Sequence, residues 1–150
     1  MPLSAQEVAR RSADAMWSND QATRWLGASI DTVGPGTATL SMLVEAHHCN
    51  GHGICHGGFI FTLADSAFAF ACNSYNDRAV AQHNVISFIA PGKQGERLSA
   101  IAVEVAREGR TGIYDASVRG EDGRLIATFR GASRLIGGLN FDPEKAGPED

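Results

Sequence analysis

The sequence has few cysteines and little excess charge. It contains three cysteines among 150 residues, and its formal net charge is −4 at pH 7. Three cysteines without a repeated short-spaced pair make a poor disulfide framework, and a negative chain lacks the basic field that attracts nucleic acid or anionic membranes. We therefore expect free thiols, no nucleic-acid partner and no membrane partner.

Long apolar runs are also absent. The first eight residues have no charged segment followed by an apolar run, and the longest apolar stretch is interrupted by Asp65. A leader peptide or a membrane span would require such a run. Because a reducing compartment also suits three unpaired thiols, we expect a cytoplasmic protein.

Length and composition favour one domain. Hydrophobic residues make up 43% of the chain, enough for one sizeable core. Residues 137–150, GGLNFDPEKAGPED, are rich in glycine, proline and charge, so we expect a single domain over residues 1–136 and a flexible tail over residues 137–150.

Alternating polar and apolar residues predict an antiparallel sheet. Residues 37–45 alternate cleanly, and the turn Gly34-Pro35-Gly36 connects them to an earlier strand over residues 26–33. Further strands are predicted over residues 79–90, 97–107, 111–119 and 124–136. Short turns between neighbours indicate a meander, and Ser4 begins a leading helix that reaches residue 17.

One long segment, GGFIFTLADSAFAFACN from Gly57 to about Asn73, has helical length and is apolar nearly all round. A helix without a polar face has to be buried. We therefore predict an α+β fold in which the sheet wraps around a long central helix.

Asp65 interrupts that apolar helix. An ionised carboxylate is rarely buried without a partner, because desolvation costs several kcal/mol. Either Asp65 is a structural acid satisfied by neighbours such as Thr62 or Ser66, or it is a functional group. Aromatic neighbours raise the pKa of a carboxyl toward the range of a general base, which favours the functional interpretation.

A glycine-rich loop, Asn50 to Gly58, precedes the helix. The first turn of a helix has unpaired N–H groups and the positive end of the macrodipole, which suit a carbonyl oxygen that becomes negative. Alternatively, Gly57 and Gly58 only provide clearance between helix and sheet.

Gly57 and Asp65 are eight positions apart, which is about 12 Å along a helix. One helix cannot hold one small reacting group at both positions. An obligate dimer with antiparallel central helices would bring Asp65 of one subunit beside Gly57 of the other. Small residues would permit close helix approach: Ala64, Ala67, Ala69 and Ala71.

The segment NGHGICHGGFIFTLADSAFAFACNS resembles the signature of the phenylacetate-degradation thioesterases, a hotdog-fold group that acts on acyl-CoA. The resemblance implies Asp65 as nucleophile or general base, Gly57 as the amide that polarises the thioester carbonyl, and Asn50 and His56 as supporting groups. It also implies hydrolysis without metal or organic cofactor, an aryl-acetyl substrate and a tetramer of two dimers.

Substrate contacts follow from the same resemblance. The basic turn Arg107-Glu108-Gly109-Arg110-Thr111 is similar to the stretch that meets the CoA phosphates in relatives, although it could be a solvated hairpin tip. Some relatives carry a serine or threonine after the central helix, where this chain reads Ala81-Gln82-His83-Asn84. Predicted substrate-binding residues are therefore Gly58, Thr62, Ser66, Gln82, Arg107, Gly109, Arg110 and Thr111.

Three alternatives remain open at the level of the sequence. A metal could be held by the cluster His47, His48, Cys49, His52, Cys55 and His56. A hotdog hydratase or dehydratase could use His56 with Asp65, or the chain could bind acyl-CoA without turnover.

The aromatic side chains Phe59, Phe61, Phe68 and Phe88 could accept an aryl ring or simply form core.

Overall fold

A computed structural model describes residues 2–145 of the chain. The elements follow in the order α1 (Ala5–Trp17), α2 (Gln21–Leu26), β1 (Ser29–Gly34), β2 (Thr37–Leu43), a single 3₁₀ turn (Ala46–His48), α3 (Gly57–Cys72), β3 (Asp77–Phe88), β4 (Arg97–Glu108), β5 (Thr111–Arg119) and β6 (Leu125–Leu139). The Ser4 hydroxyl accepts from the Glu7 N–H, so Ser4 caps α1 as predicted.

The six strands form one antiparallel sheet in the order β1-β2-β4-β5-β6-β3. Helix α3 packs across β2, β4 and β5, and its side chains Leu63, Phe68 and Phe70 are at most 1% exposed. The α+β architecture with a wrapped central helix is therefore confirmed.

The small residues of α3 are mostly buried in the core of their own chain. Ala64, Ala67 and Ala71 have no exposed surface in a single chain, and Ala69 is only partly exposed. These alanines allow the helix to approach the sheet closely, so the prediction that they line a contact between two helices is wrong for three of the four. On β6, a Cβ built at Gly131 would meet the Phe68 ring at 2.8 Å, so this position needs glycine.

The predicted strand over residues 26–33 begins too early. Residues Gln21–Leu26 form helix α2, whose first turn is capped by the Asp20 carboxylate accepting from the Thr23 N–H at 2.9 Å. Gly27 ends this helix with a φ of 83°, and β1 starts only at Ser29.

Strand β6 continues to Leu139, past the boundary predicted at residue 136. Beyond it, the Asn140 side chain donates to the Asn73 carbonyl, and the Phe141 N–H donates to the Asn76 side chain at 2.9 Å. Residues 137–141 are therefore tied to the fold rather than part of a free tail. Residues 146–150 of the predicted tail lie outside the described residues.

The helices found between residues 2 and 145 are all too short or too polar to cross a membrane.

Candidate active site

Helix α3 begins with an N–H group that has no acceptor. His56 is the N-cap, and its Nδ1 accepts from the Gly58 N–H at 2.8 Å. The Gly57 N–H donates to no acceptor in the part of the chain that the structure describes. Gly57 therefore presents a free amide at the positive end of the helix, whereas the amide of Gly58, predicted to bind substrate, is already used.

Asn50 shapes the loop that leads to this helix. Its Oδ1 accepts from the His52 N–H at 2.9 Å and from the Ile54 N–H at 3.4 Å, and its own N–H donates to the Ile54 carbonyl. These bonds fold the loop back on itself beside Gly57. Asn50, Gly57 and Phe88 line a cavity of about 380 Å³ together with Ile54, Cys55, Ile60, Ile89, Ala90 and Pro91.

Phe88 is the one predicted aromatic residue that lines this cavity. Its ring lies against Gly57, where a Cβ would come within 3.0 Å of Cζ, and the side chain is 53% exposed. Phe68 is buried in the core, and Phe61 packs on Phe129. The Phe88 ring therefore leaves little room for a Cβ at position 57, which is a reason for glycine there in addition to the free amide.

Asp65 lies two helical turns further along α3. The Asn84 Nδ2 on β3 donates to Asp65 Oδ1 at 2.8 Å. Burial raises the pKa of the Asp65 carboxyl, and the hydrogen bond from Asn84 opposes that rise. A half-buried carboxylate with a raised pKa can act as a general base or nucleophile.

The hydroxyls predicted to satisfy Asp65 bond elsewhere. The Thr62 hydroxyl donates to the Gly58 carbonyl at 2.9 Å, and the Ser66 hydroxyl bonds the Thr23 hydroxyl at 2.8 Å. Gln82 occupies a bulge between Ala81 and His83 and is exposed. Asn84 is therefore the residue of this group that reaches the carboxylate.

The basic turn between β4 and β5 borders a second cavity, of about 240 Å³, near the C-terminal end of α3. Arg107 is engaged within it, because its Nε donates to Glu104 at 2.9 Å and its guanidinium lies 3.6 Å from the Tyr75 ring centroid. Arg110 is exposed and has no ion pair with any described residue. Gly109 and Thr111 line the same cavity.

The predicted metal cluster does not come together as one site. Ligand atoms of Glu45, His47 and His48 lie within 4.8 Å of one another. However, His48 Nδ1 accepts from the Glu45 N–H and its Nε2 bonds the Leu26 carbonyl, both at 2.9 Å. Burial raises the pKa of the Cys55 thiol to about 11, which disfavours the thiolate that zinc needs.

Comparison with known proteins identifies the family. Residues 52–127 match the model of the thioesterase superfamily, and this match contains Gly57, Asp65 and Asn84. The chain belongs to the thioesterase superfamily. It is therefore a thioester hydrolase, and the hydratase and binding-protein alternatives are not favoured.

One relative in this superfamily is a bacterial acyl-coenzyme A thioesterase. The chain is 44% identical over 129 residues to the acyl-coenzyme A thioesterase PaaI of Escherichia coli, covering 85% of this chain and 91% of that protein. The solved structure of E. coli PaaI, from the phenylacetic acid degradation operon, superposes with a TM-score of 0.89 at 41% identity, covering 91% of this chain and 99% of that one.

A more distant superfamily member shares the fold. The Streptococcus mutans protein smu.793, solved bound to acetyl CoA, superposes with a TM-score of 0.72 at 23% identity, covering 75% of this chain and 90% of that chain.

Proposed function

We propose that this thioesterase hydrolyses acyl-CoA, with an aryl-acetyl group as the acyl part, to a free acid and coenzyme A. The observation that carries the proposal is the presence on α3 of both the half-buried carboxylate of Asp65 and the free amide of Gly57. Further support comes from the likeness to an acyl-CoA thioesterase and to a protein of a phenylacetic acid degradation operon.

The two groups act at one thioester only if two subunits share the site. Eight helical positions separate Gly57 from Asp65 by about 12 Å along the axis. Strand β3 lies at the edge of the sheet and is twelve residues long, with Val80 46% and Val85 53% exposed. A long apolar edge strand is a template for pairing with another chain.

In the proposed dimer, two β3 strands pair and two α3 helices run antiparallel, which creates two equivalent sites by symmetry. Dimers then associate into a tetramer. The outward face of β4 offers an apolar surface for that second contact, because Ile101, Val103 and Val105 are between 40% and 53% exposed.

Hydrolysis then proceeds through a negative charge that develops on the carbonyl oxygen of the thioester. Asp65 either takes a proton from water, whose oxygen attacks the carbonyl carbon, or attacks that carbon itself to form an anhydride that water cleaves. In both cases the carbonyl oxygen becomes negative and accepts from the Gly57 N–H of the second subunit, a bond worth about 3 kcal/mol of barrier. The C–S bond breaks and the thiolate of coenzyme A leaves. Neither step requires a metal or organic cofactor.

The remaining predicted residues have supporting roles. His56 caps α3 and thereby leaves the Gly57 amide free, while Asn50 holds the loop beside it. Arg110, with Gly109 and Thr111, binds phosphates of coenzyme A, because an exposed guanidinium without an ion pair can form a fork with a phosphate. Phe88 lies beside the acyl ring in the larger cavity.

The test measures release of the coenzyme A thiol from phenylacetyl-CoA and from a panel of aliphatic acyl-CoAs. We expect turnover of phenylacetyl-CoA by the wild type and a loss in kcat of at least about a hundredfold in Asp65→Asn. If no thioester releases thiol, the proposed hydrolysis of acyl-CoA is wrong. If aliphatic substrates are turned over better than phenylacetyl-CoA, the aryl preference alone is wrong.

Asp65→Asn is a suitable variant because it should remain folded. The folded pKa of Asp65 is raised, so its contribution to stability is complete below the unfolded pKa and is lost as the pH rises through the folded pKa. The Asn variant carries no charge to bury, and its amide can donate to Asn84 Oδ1, which is buried without a partner. We expect a melting temperature at pH 7 equal to or above that of the wild type, measured by circular dichroism.

A further inference from the structure

Asn84 is the polar residue of β3 that faces the central helix at Asp65. It pairs across the sheet with Gly131 of β6, and its side chain reaches Asp65 Oδ1 through Nδ2 at 2.8 Å. The other oxygen of the same amide, Oδ1, is buried and has no hydrogen-bond partner among residues 2–145. One half of the side chain is therefore bonded and the other half is not.

The two ends of the Asn84 amide differ in their contribution to stability. A buried polar atom without a partner costs about 1–3 kcal/mol, and Oδ1 carries this cost, whereas Nδ2 supplies the one described donor to the Asp65 carboxylate. The amide is therefore unfavourable to stability at its oxygen end. Its Nδ2 end donates to the carboxylate, and a functional role of this hydrogen bond can compensate for the cost at the oxygen end.

Asp65 receives no second side-chain donor from residues 2–145. Thr62 and Ser66 bond elsewhere, and no described cation bonds to the carboxylate. Charged and titratable groups of the packed elements are neutral or bonded to other partners: Cys72 on α3 remains a neutral thiol because burial raises its pKa to about 12, and Arg130 of β6 pairs with Asp115. On α2, Asp20 is bonded to Thr23.

We infer that Asn84 is a positioning residue for thioester hydrolysis. Its side-chain Nδ2 donates to Asp65 Oδ1 and keeps the carboxylate ionised. The other oxygen, Oδ2, is then left for the reacting water or carbonyl carbon. This inference rests on the proposed function of Asp65. Burial alone favours the protonated acid, which is neither a base nor a nucleophile. The Asn84 side-chain N–H bonds the ionised carboxylate more strongly than the neutral acid, so it shifts the balance toward the active form.

The experiment is a pH profile of kcat/KM with phenylacetyl-CoA for the wild type and Asn84→Leu. Loss of the donor raises the pKa of Asp65, so the acid limb should move to higher pH by about one unit or more, equal to about a tenfold loss at the acid end. At alkaline pH the two profiles should converge, and KM should change little. Ser87→Ala is the matched control, because Ser87 lies on the same strand, is exposed and lines a different cavity, whose lining includes neither Asp65 nor Gly57.

If the acid limb of Asn84→Leu coincides with that of the wild type, the inference is overturned, whatever the size of the loss in rate. Asn84→Ala, which also lacks the donor, takes its place if the leucine variant does not fold. Asp65→Asn is measured in parallel. If Asp65→Asn is inactive but the acid limb of the pH profile of Asn84→Leu does not shift, only the role of Asn84 is rejected. If Asp65→Asn is fully active, the proposed function itself is rejected.

Discussion

Gly57 combines a free backbone amide with the lack of a side chain, and these two features can be separated by mutation. The amide has no acceptor within residues 2–145, and the missing Cβ leaves room for the Phe88 ring at 3.0 Å. Proline at the first position of a helix preserves the helix while removing the N–H. His56 has φ −62° and ψ 135°, a conformation that a residue before proline prefers.

We predict that Gly57→Pro lowers kcat by about a hundredfold to a thousandfold, because the donor to the carbonyl oxygen is lost. Gly57→Ala is the matched control, since it adds the same Cβ beside Phe88 but keeps the N–H. Steady-state kinetics with phenylacetyl-CoA and melting temperatures of both variants provide the measurement. Equal losses of kcat in the two variants would mean that position 57 supplies space for the Phe88 ring and not a hydrogen-bond donor.

Asp65 and Asn84 illustrate a conflict between stability and function within single residues. Burial of the carboxylate raises its pKa, and the amide that opposes this rise leaves its own oxygen unpaired. Both features are unfavourable for folding, whereas the hydrogen bond from Asn84 Nδ2 favours the ionised, reactive carboxylate.

At the scale of elements, the contact between α3 and β6 depends on Gly131. Three atoms of the buried Phe68 ring would lie within 2.9 Å of a Cβ at this position. Because the ring is enclosed by Tyr114 and Phe129, it has little freedom to move away.

We predict that Gly131→Ala lowers the free energy of unfolding by about 1–3 kcal/mol through overpacking. Gly51→Ala is the control, because a Cβ at Gly51 meets no atom within 4 Å, and its effect should stay within about 0.5 kcal/mol. Urea denaturation of both variants measures the difference. If both substitutions change the free energy of unfolding by an equally small amount, α3 and β6 can move apart at this contact with little loss of stability.

At the scale of the whole molecule, the proposed dimer makes each site depend on two chains. An Asp65→Asn subunit lacks the carboxylate but has the amide, whereas a Gly57→Pro subunit has the carboxylate but lacks the amide. A mixed dimer therefore contains one complete site and one site that lacks both groups.

We predict that mixing the two inactive variants after subunit exchange restores about a quarter of the wild-type activity, since half of the dimers are mixed and half of their sites are complete. Light scattering during size-exclusion chromatography checks that the subunits assemble. Each variant exchanged with itself is the control. No recovery from mixed dimers of demonstrated composition would mean that Asp65 and Gly57 of different chains do not share a site.

The sequence by itself determined the strands, the buried helix and the family. Strand and helix periods are local properties, so alternation over residues 37–45 and the apolar run from Gly57 predicted their elements well. Asp65 was also visible, because a single carboxylate in an apolar helix is anomalous. Helix α2 was missed although the cap at Asp20 and the stop at Gly27 were both readable.

Only the tertiary structure decided which side chains meet. Asn84 reaches Asp65 across 19 positions of sequence, and Thr23 bonds Ser66 across 43, so the alternative in which Ser66 satisfies the carboxylate does not hold. Three of the four alanines of α3 likewise lie buried in the core of their own chain. Such contacts depend on how the sheet curves around the helix and on the register of its edge strand, and these are set by packing of the whole core rather than by any local pattern.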